Sequence, residues 1–200
     1  MESDEKIKDV KVILLGENGV GKTSIINRFT TNEFNKEETV TLGSSYSTKE
    51  IKYQNVNYRL KIWDTTGQEK FHSVTNLFIK GSNIIILVYS VDSLNSFEQL
   101  NYWYSSIKQS IEGENHILAI VGNKMDLKNS MVVSEEESRK YAENKNAIFK
   151  LVSAKEDPKG INKLFDKLLE ELSQINFESM TQSYIIRKKN IKKKKKQKCC

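Results

Sequence analysis

The sequence predicts an α/β fold: an open, doubly wound sheet, mostly parallel, with one antiparallel hairpin at its edge. Three observations point there. Residues 84–89 (IIILVY) and 117–121 (ILAIV) are unbroken apolar runs, the pattern of strands covered on both faces and hence of a parallel sheet. Residues 44–53 and 57–64 instead alternate apolar and polar across a tight turn near residues 54–56, which reads as a hairpin. Strands and helices also alternate from end to end, and right-handed crossovers then wind helices over both faces.

Residues 10–15 (VKVILL) form a short strand with one polar position, Lys11. A glycine-rich turn follows and leads into KTSIINRF, where Ile25, Ile26 and Phe29 fall at helical spacing. After the hairpin and the strand at 84–89, helical spacing returns at Phe97, Leu100, Tyr104, Ile107 and Ile111. Past the strand at 117–121, Ser134 and Glu137 make a capping box that opens a helix at SEEESRKYAENK. Residues 149–152 supply a sixth strand, and Ile161, Leu164, Phe165, Leu168, Leu169 and Leu172 mark a last amphipathic helix. The reading divides the chain into an N-terminal extension (residues 1–9), one globular domain (10–174) and a flexible tail (175–200). In such sheets ligands bind beyond the carboxyl ends of the strands.

The 200 residues, 38% of them hydrophobic, suffice for one domain with a sizeable core. The net charge of +6 is misleading, because residues 187–198 hold nine basic and no acidic side chains, which leaves 23 basic against 26 acidic residues in 1–186. The tail is basic and the domain is not. Only two cysteines occur, adjacent at positions 199 and 200, so no disulfide framework or cysteine-rich zinc site is expected, and a reducing, intracellular setting fits best. The start, MESDEKIKDVKVILLG, is acidic where a signal peptide is positive, and its apolar stretch is too short to span a membrane.

Residues 16–23, GENGVGKT, match GxxxxGK[ST] between a strand and a helix, the context that this phosphate-binding loop requires. Glu17, Asn18, Gly19, Val20, Gly21, Lys22, Thr23 and Ser24 are the candidate phosphate residues. Backbone N–H groups and the helix N-terminus cradle the anion, Lys22 reaches the outer phosphates, and Thr23 offers a hydroxyl to Mg2+. WDTTGQE, residues 63–69, follows the hairpin's second strand. Asp64 should therefore emerge beside the phosphate loop and hold Mg2+ through water. Gly67 can bring its N–H to a terminal phosphate, and Gln68 can orient a water for in-line attack. Lys22, Gly67 and Gln68 are the catalytic candidates. GNKMDL (122–127) and SAK (153–155) each follow a buried strand. A guanine presents its 2-amino group and N1–H side by side, and one carboxylate, Asp126, accepts both. Adenine leaves that carboxylate unpaired. The stems of Lys124 and Lys155 can sandwich the ring.

In order and spacing, GENGVGKT, a switch threonine, DTTGQE, GNKMD and SAK resemble the signature set of a Ras-like small GTPase, a P-loop NTPase; KIWDTTGQEKFHSVT, LVYSVDSLNSFEQLNYW and the terminal CC resemble the Rab branch. The resemblance spans residues 10 to about 172 and the tail. It implies a six-stranded sheet with five flanking helices, and a switch that hydrolyses GTP to GDP with Mg2+ to time vesicle traffic. Thr41, eighteen residues after Thr23, should complete the Mg2+ shell and contact the terminal phosphate. Phe34, Asn123, Lys124, Asp126, Ser153, Ala154 and Lys155 should surround guanine, and Tyr46, Trp63 and Phe78 should form an aromatic triad read by effectors. From the residues alone, Tyr46 and Trp63 read equally as core aromatics of their strands. The implied partners are an exchange factor, a GTPase-activating protein, a GDP dissociation inhibitor, a prenylation escort protein with its geranylgeranyl transferase, and effectors of the GTP form. A monomer is expected.

Two positions and one short segment depart from the pattern. Asn18 replaces the usual serine or glycine, Thr66 the usual alanine, and TLGSSY the commoner form with isoleucine and an acidic residue. A larger amide at 18 can crowd the attacking water or an inserted arginine, and Thr66 can hinder Gly67, so slow intrinsic hydrolysis is expected. The lysine run alone would suit a nucleic-acid arm, a nuclear address or a membrane-binding segment. With Cys199 and Cys200 behind it, the tail resembles the doubly prenylated end of Rab proteins. Two lipid chains anchor stably, lysines strengthen binding to an anionic leaflet, and nucleic acid is not an expected partner. The implied location is the cytoplasmic face of an intracellular membrane, with a cytosolic pool. A GTP-binding scaffold of poor turnover, or a nucleic-acid-binding GTPase, are the alternatives from other classes.

Overall fold

The structure, a computed structural model, describes residues 7–36, 44–65, 77–111 and 115–175. Six strands, β1 (Lys8–Leu15), β2 (Ser44–Tyr53), β3 (Val56–Thr65), β4 (Ile84–Ser90), β5 (Ile117–Asn123) and β6 (Ile148–Leu151), form one sheet in the order β2-β3-β1-β4-β5-β6. β2 runs antiparallel to β3, and every other pairing is parallel. Five helices flank the sheet among the described residues: α1 (Lys22–Thr30), α2 (Leu94–Glu98), α3 (Leu100–Ser110), α4 (Glu135–Glu143) and α5 (Pro158–Gln174). The predicted fold class is the observed one.

Strand alternation sorts the core into two layers. Val10, Val12 and Leu14 of β1 join Ile84, Ile86 and Val88 of β4 on the face covered by α1 and α5, where Phe29 stacks on Phe165. Ile13, Leu15, Ile85, Leu87 and Tyr89 point the other way, into the layer shared with α2, α3 and α4. Every residue of β4 and β5 is buried, as the unbroken apolar runs require. The chain pairs β3 on one side of β1 and β4 on the other, so the strand order reverses at β1 and opens a crevice at its carboxyl end.

The boundaries differ from the sequence reading in several places, the last strand among them, which runs Ile148–Leu151 rather than 149–152. β1 begins at Lys8, two residues inside the expected N-terminal extension, because it pairs with β3 from Lys8↔Tyr58 onward. The hairpin turn is only Gln54 and Asn55, at φ 47° and 62°, so β3 starts at Val56. Two left-handed residues in succession are the type I′ geometry whose twist matches that of the flanking strands. The helical stretch at 97–111 is two helices that meet at Gln99. Ser93 opens the first by accepting from the Ser96 N–H. On α3 the core position is Trp103, 1% exposed, rather than Tyr104, which lies half-buried with the Lys108 and Lys145 ammoniums against its ring. The capping serine holds, since Ser134 Oγ accepts from the Glu137 N–H at 3.1 Å. α5 starts on Pro158, with Asp157 capping the Gly160 N–H, and Ile175 still packs on the core beyond its last residue.

Candidate functional site

A cavity of about 490 Å³ lies at the carboxyl edge of the sheet, over the crevice beside β1. Its phosphate-loop end is made of backbone. Gly16 has φ 147°, and a Cβ there would stand 2.1 Å from the carbonyl oxygen of Val88 on β4; at Gly21, φ 90°, it would stand 2.3 Å from Asn123 Nδ2. These contacts explain why the loop must be glycine at these two positions, the first for close packing against the next strand and the second for close approach to the base loop. Lys22 is buried, and its ammonium donates to the carbonyls of Gly16 and Glu17, both at 2.8 Å, which curls the loop around the side chain. Burial pushes Lys22 down to about 8, against the opposing pull of Asp64 and Glu17. Val20 is buried, while Asn18 and Gly19 are exposed.

Asp64 sits where β3 ends, 2% exposed and in register with Leu14 of β1. Its Oδ2 accepts from Thr23 Oγ1 at 2.7 Å, across 41 residues of chain. Thr65, which the motif reading passed over, fixes this strand end by donating its hydroxyl to the Leu14 carbonyl at 2.7 Å. A hydroxyl and a carboxylate in contact at the mouth of a phosphate loop fit Mg2+, which binds through one or two carboxylates and keeps waters and phosphate oxygens as its other ligands.

The other end is built from side chains. Asn123 ends β5 and bridges two loops, donating Nδ2–H to the Val20 carbonyl at 2.9 Å and accepting from the Ala154 N–H at 3.1 Å. Lys124 takes the left-handed conformation, φ 66°, and the turn that it begins closes by the Leu127 N–H donating to its carbonyl. Such a conformation at a non-glycine residue is kept only where its surroundings enforce it. Asp126, with its side chain 8% exposed, accepts from Ser153 Oγ at 2.5 Å, and Ser153 in turn accepts from the Glu156 N–H. The serine thus aims the carboxylate. Lys155 Nζ lies 3.9 Å from Asp126 and 3.0 Å from Glu156. Phe34, Lys124, Asp126, Ala154 and Lys155 all line the same cavity as Lys22 and Thr23.

Most of the nucleotide residues picked from sequence therefore converge. Thr41, Thr66, Gly67 and Gln68 lie outside the described residues, as do Cys199, Cys200 and the basic tail. Arg28 was not anticipated, although it touches both Ala154 and Lys155; a basic residue in the last turn of the phosphate-loop helix was its signal. Away from the cavity, Tyr46 faces Trp63 in the β2–β3 register, with ring centroids 5.3 Å apart, and Trp63 meets Phe78 at 5.2 Å. Tyr46 is 49% exposed, whereas Trp63 and Phe78 rest partly on the second core layer. The three form one continuous aromatic patch rather than separate core residues.

A fold, a phosphate loop and a carboxylate-bearing base loop in this arrangement define a class. Residues 11–174 match the model of the Ras family, and the chain belongs to that family of small GTPases, which hydrolyse GTP and use GTP, GDP and Mg2+. Within it the likeness is to Rab proteins. The chain is 39% identical over 164 residues to Ras-related protein RabC of Dictyostelium discoideum, covering 81% of this chain and 83% of that one. It is 40% identical over 162 residues to Ras-related protein Rab-21 of Mus musculus (81% and 72%), and 38% over 159 residues to Ras-related protein Rab-22A of Homo sapiens (80% and 81%). The protein is accordingly a GTP hydrolase of the Rab type, with a role in membrane trafficking.

Proposed function

We propose that the chain cycles between GDP-bound and GTP-bound forms at the cytoplasmic face of an intracellular membrane and regulates vesicle traffic there. The observation that supports this best is one cavity lined at one end by Lys22 and by Thr23, whose hydroxyl is bonded to Asp64, and at the other by Asn123 and Asp126. A nucleotide in it has its phosphates on the loop amides and Lys22, and its guanine edge on Asp126, between Phe34 and the stems of Lys124 and Lys155. Thr23, Asp64 through water, and Thr41 would hold Mg2+, which when bound neutralises charge developing on the phosphate oxygens. Gln68 orients the attacking water and the Gly67 N–H holds the terminal phosphate. Loss of that phosphate frees Thr41 and Gly67 and alters the surface around Tyr46, Trp63 and Phe78, which effectors read.

Residues 10–174 act as the switch and 175–200 as its tether, with two prenyl chains on Cys199 and Cys200 and the lysines on anionic lipid. No helix among the described residues is long and apolar enough to cross a membrane. Exchange, GTPase-activating, dissociation-inhibitor, prenylation and effector proteins are the partners this role calls for. The test is single-turnover GTP hydrolysis with Mg2+ by the full chain beside Gln68→Leu and Thr66→Ala. The parent should hydrolyse slowly, Gln68→Leu at least tenfold more slowly, and Thr66→Ala faster, given the share of the rate that water positioning supplies. Equal rates in the parent and Gln68→Leu would remove the catalytic assignment.

A further inference from the structure

Arg28 stands in the last turn of α1, at the corner where three separate segments approach the base end of the cavity. Its guanidinium makes three hydrogen bonds, all to backbone carbonyls: Nε–H to Ala154 at 2.8 Å, one terminal nitrogen to Lys155 at 3.1 Å and the other to Asn32 at 2.6 Å. The same group lies 5.9 Å from the centre of the Phe34 ring. Ala154, Lys155 and Phe34 line the cavity, and Asn32, at φ 62°, turns the chain out of α1 toward Phe34. One planar cation therefore fastens the base loop from behind and also supports the segment that carries its aromatic cover. The backbone of Ala154 is held on both sides, with its N–H on Asn123 Oδ1 and its carbonyl on Arg28. Ser153, which aims the Asp126 carboxylate, immediately precedes Ala154 in that loop.

We propose that Arg28 is a positioning residue that sets how long a guanine nucleotide stays bound and how strictly the purine is read, by locking the Ala154–Lys155 backbone and the Asn32–Phe34 chain into one wall. The inference rests on the reading of that loop as the guanine site. The fork geometry is essential to it, because three carbonyls at different angles match the fixed donors of a guanidinium and not the single point of an ammonium. It also couples the two sides of the base. Any partner that draws the 32–36 chain away removes one acceptor and the aromatic face from Arg28, and so loosens its hold on the base loop.

The experiment is stopped-flow release of fluorescently labelled GDP, with competition by GDP and by IDP, on the full chain and on Arg28→Met, Arg28→Lys and Asp126→Ala. IDP lacks the 2-amino group whose N–H would donate to Asp126. Losing charge-assisted hydrogen bonds to the loop should speed GDP release roughly 10- to 100-fold in Arg28→Met and narrow the preference for GDP over IDP. Arg28→Lys, which keeps the charge and the stem, should shift in the same direction and serves where the methionine variant does not fold. A purely structural role predicts a lower melting temperature with the GDP to IDP ratio intact, and that result would overturn the proposal. So would wild-type release and preference in both arginine variants while Asp126→Ala loses the preference. If the parent itself shows no preference for GDP over IDP, the guanine-site reading beneath the inference fails instead.

Discussion

The two ends of the cavity are made differently. At the phosphate end the loop's shape is set by the backbone of one short stretch of chain, and that geometry is enforced by the absence of side chains at Gly16 and Gly21. At the base end the working groups are side chains from four segments, tied to one another by Asn123, Ser153 and Arg28. Where the loop is packed this closely, at Gly16 and Gly21, it has no room for an added atom. A site assembled from tethered side chains loses function by degrees. This difference predicts that equally small substitutions at the two ends will have unequal effects.

The largest effect should follow from Gly16→Ala. The new methyl meets the Val88 carbonyl of a central strand at 2.1 Å with φ at 147°, and neither the strand nor the loop can yield without opening the sheet beside β1. Strain of this kind costs ~3 kcal/mol or more, a large part of a domain's stability. Thermal unfolding should show a fall of many degrees in the melting temperature, together with loss of nucleotide binding. A variant with the parent's melting curve would mean that the phosphate end is not backbone-jammed.

An intermediate effect concerns Lys22, a side chain in the backbone-built end. With its pKa at about 8 in the nucleotide-free fold and an ordinary 10.5 when unfolded, the unfolded chain binds more protons between those values. Stability of the nucleotide-free protein should therefore rise with pH from about 8 to 10.5, and below 8 the buried ammonium's cost, on the order of 3 kcal/mol, is fully present. Phosphate anions raise the pKa again, so nucleotide binding should take up a proton above pH 8, and affinity should fall by up to about tenfold per pH unit there. Calorimetry of GDP binding in buffers of different ionisation enthalpy, at pH 8.5, measures the uptake directly; Lys22→Met should abolish it.

The same contrast governs what the sequence discloses. The phosphate end was legible because its residues are contiguous and their chemistry requires a fixed spacing, and Asp64 followed from its place at the end of a strand. The apolar runs of β4 and β5 likewise disclosed a two-sided sheet. Asn123, Asp126 and Ser153 could be named as a set, yet nothing local says that Asn123 ties Val20 to Ala154 across 103 and 31 residues. Arg28 was invisible for the same reason: a basic residue near a helix C-terminus usually reads as a partner for the helix dipole. The break at Gln99 was missed because Phe97, Leu100 and Ile107 keep a helical rhythm through it, while the separate short helix is started by hydroxyl bonds of Ser93 and Ser96, one of which reaches back to the Ser90 N–H at the end of β4.

The smallest effect should come from Ser153→Ala, and it tests the graded half of the comparison. The serine hydroxyl donates to Asp126 Oδ1 at 2.5 Å and accepts from the Glu156 N–H, so its removal frees the carboxylate to rotate while the loop backbone keeps its hold on Asn123 and Arg28. One hydrogen bond to a charged group contributes ~1.5 kcal/mol, and part of it is recovered through Lys155, 3.9 Å away on the other oxygen. GDP affinity should drop about fivefold to tenfold, with the melting temperature nearly unchanged. A loss as complete as that of Gly16→Ala would show the base end to be as rigidly determined as the phosphate end, and the contrast between them would disappear.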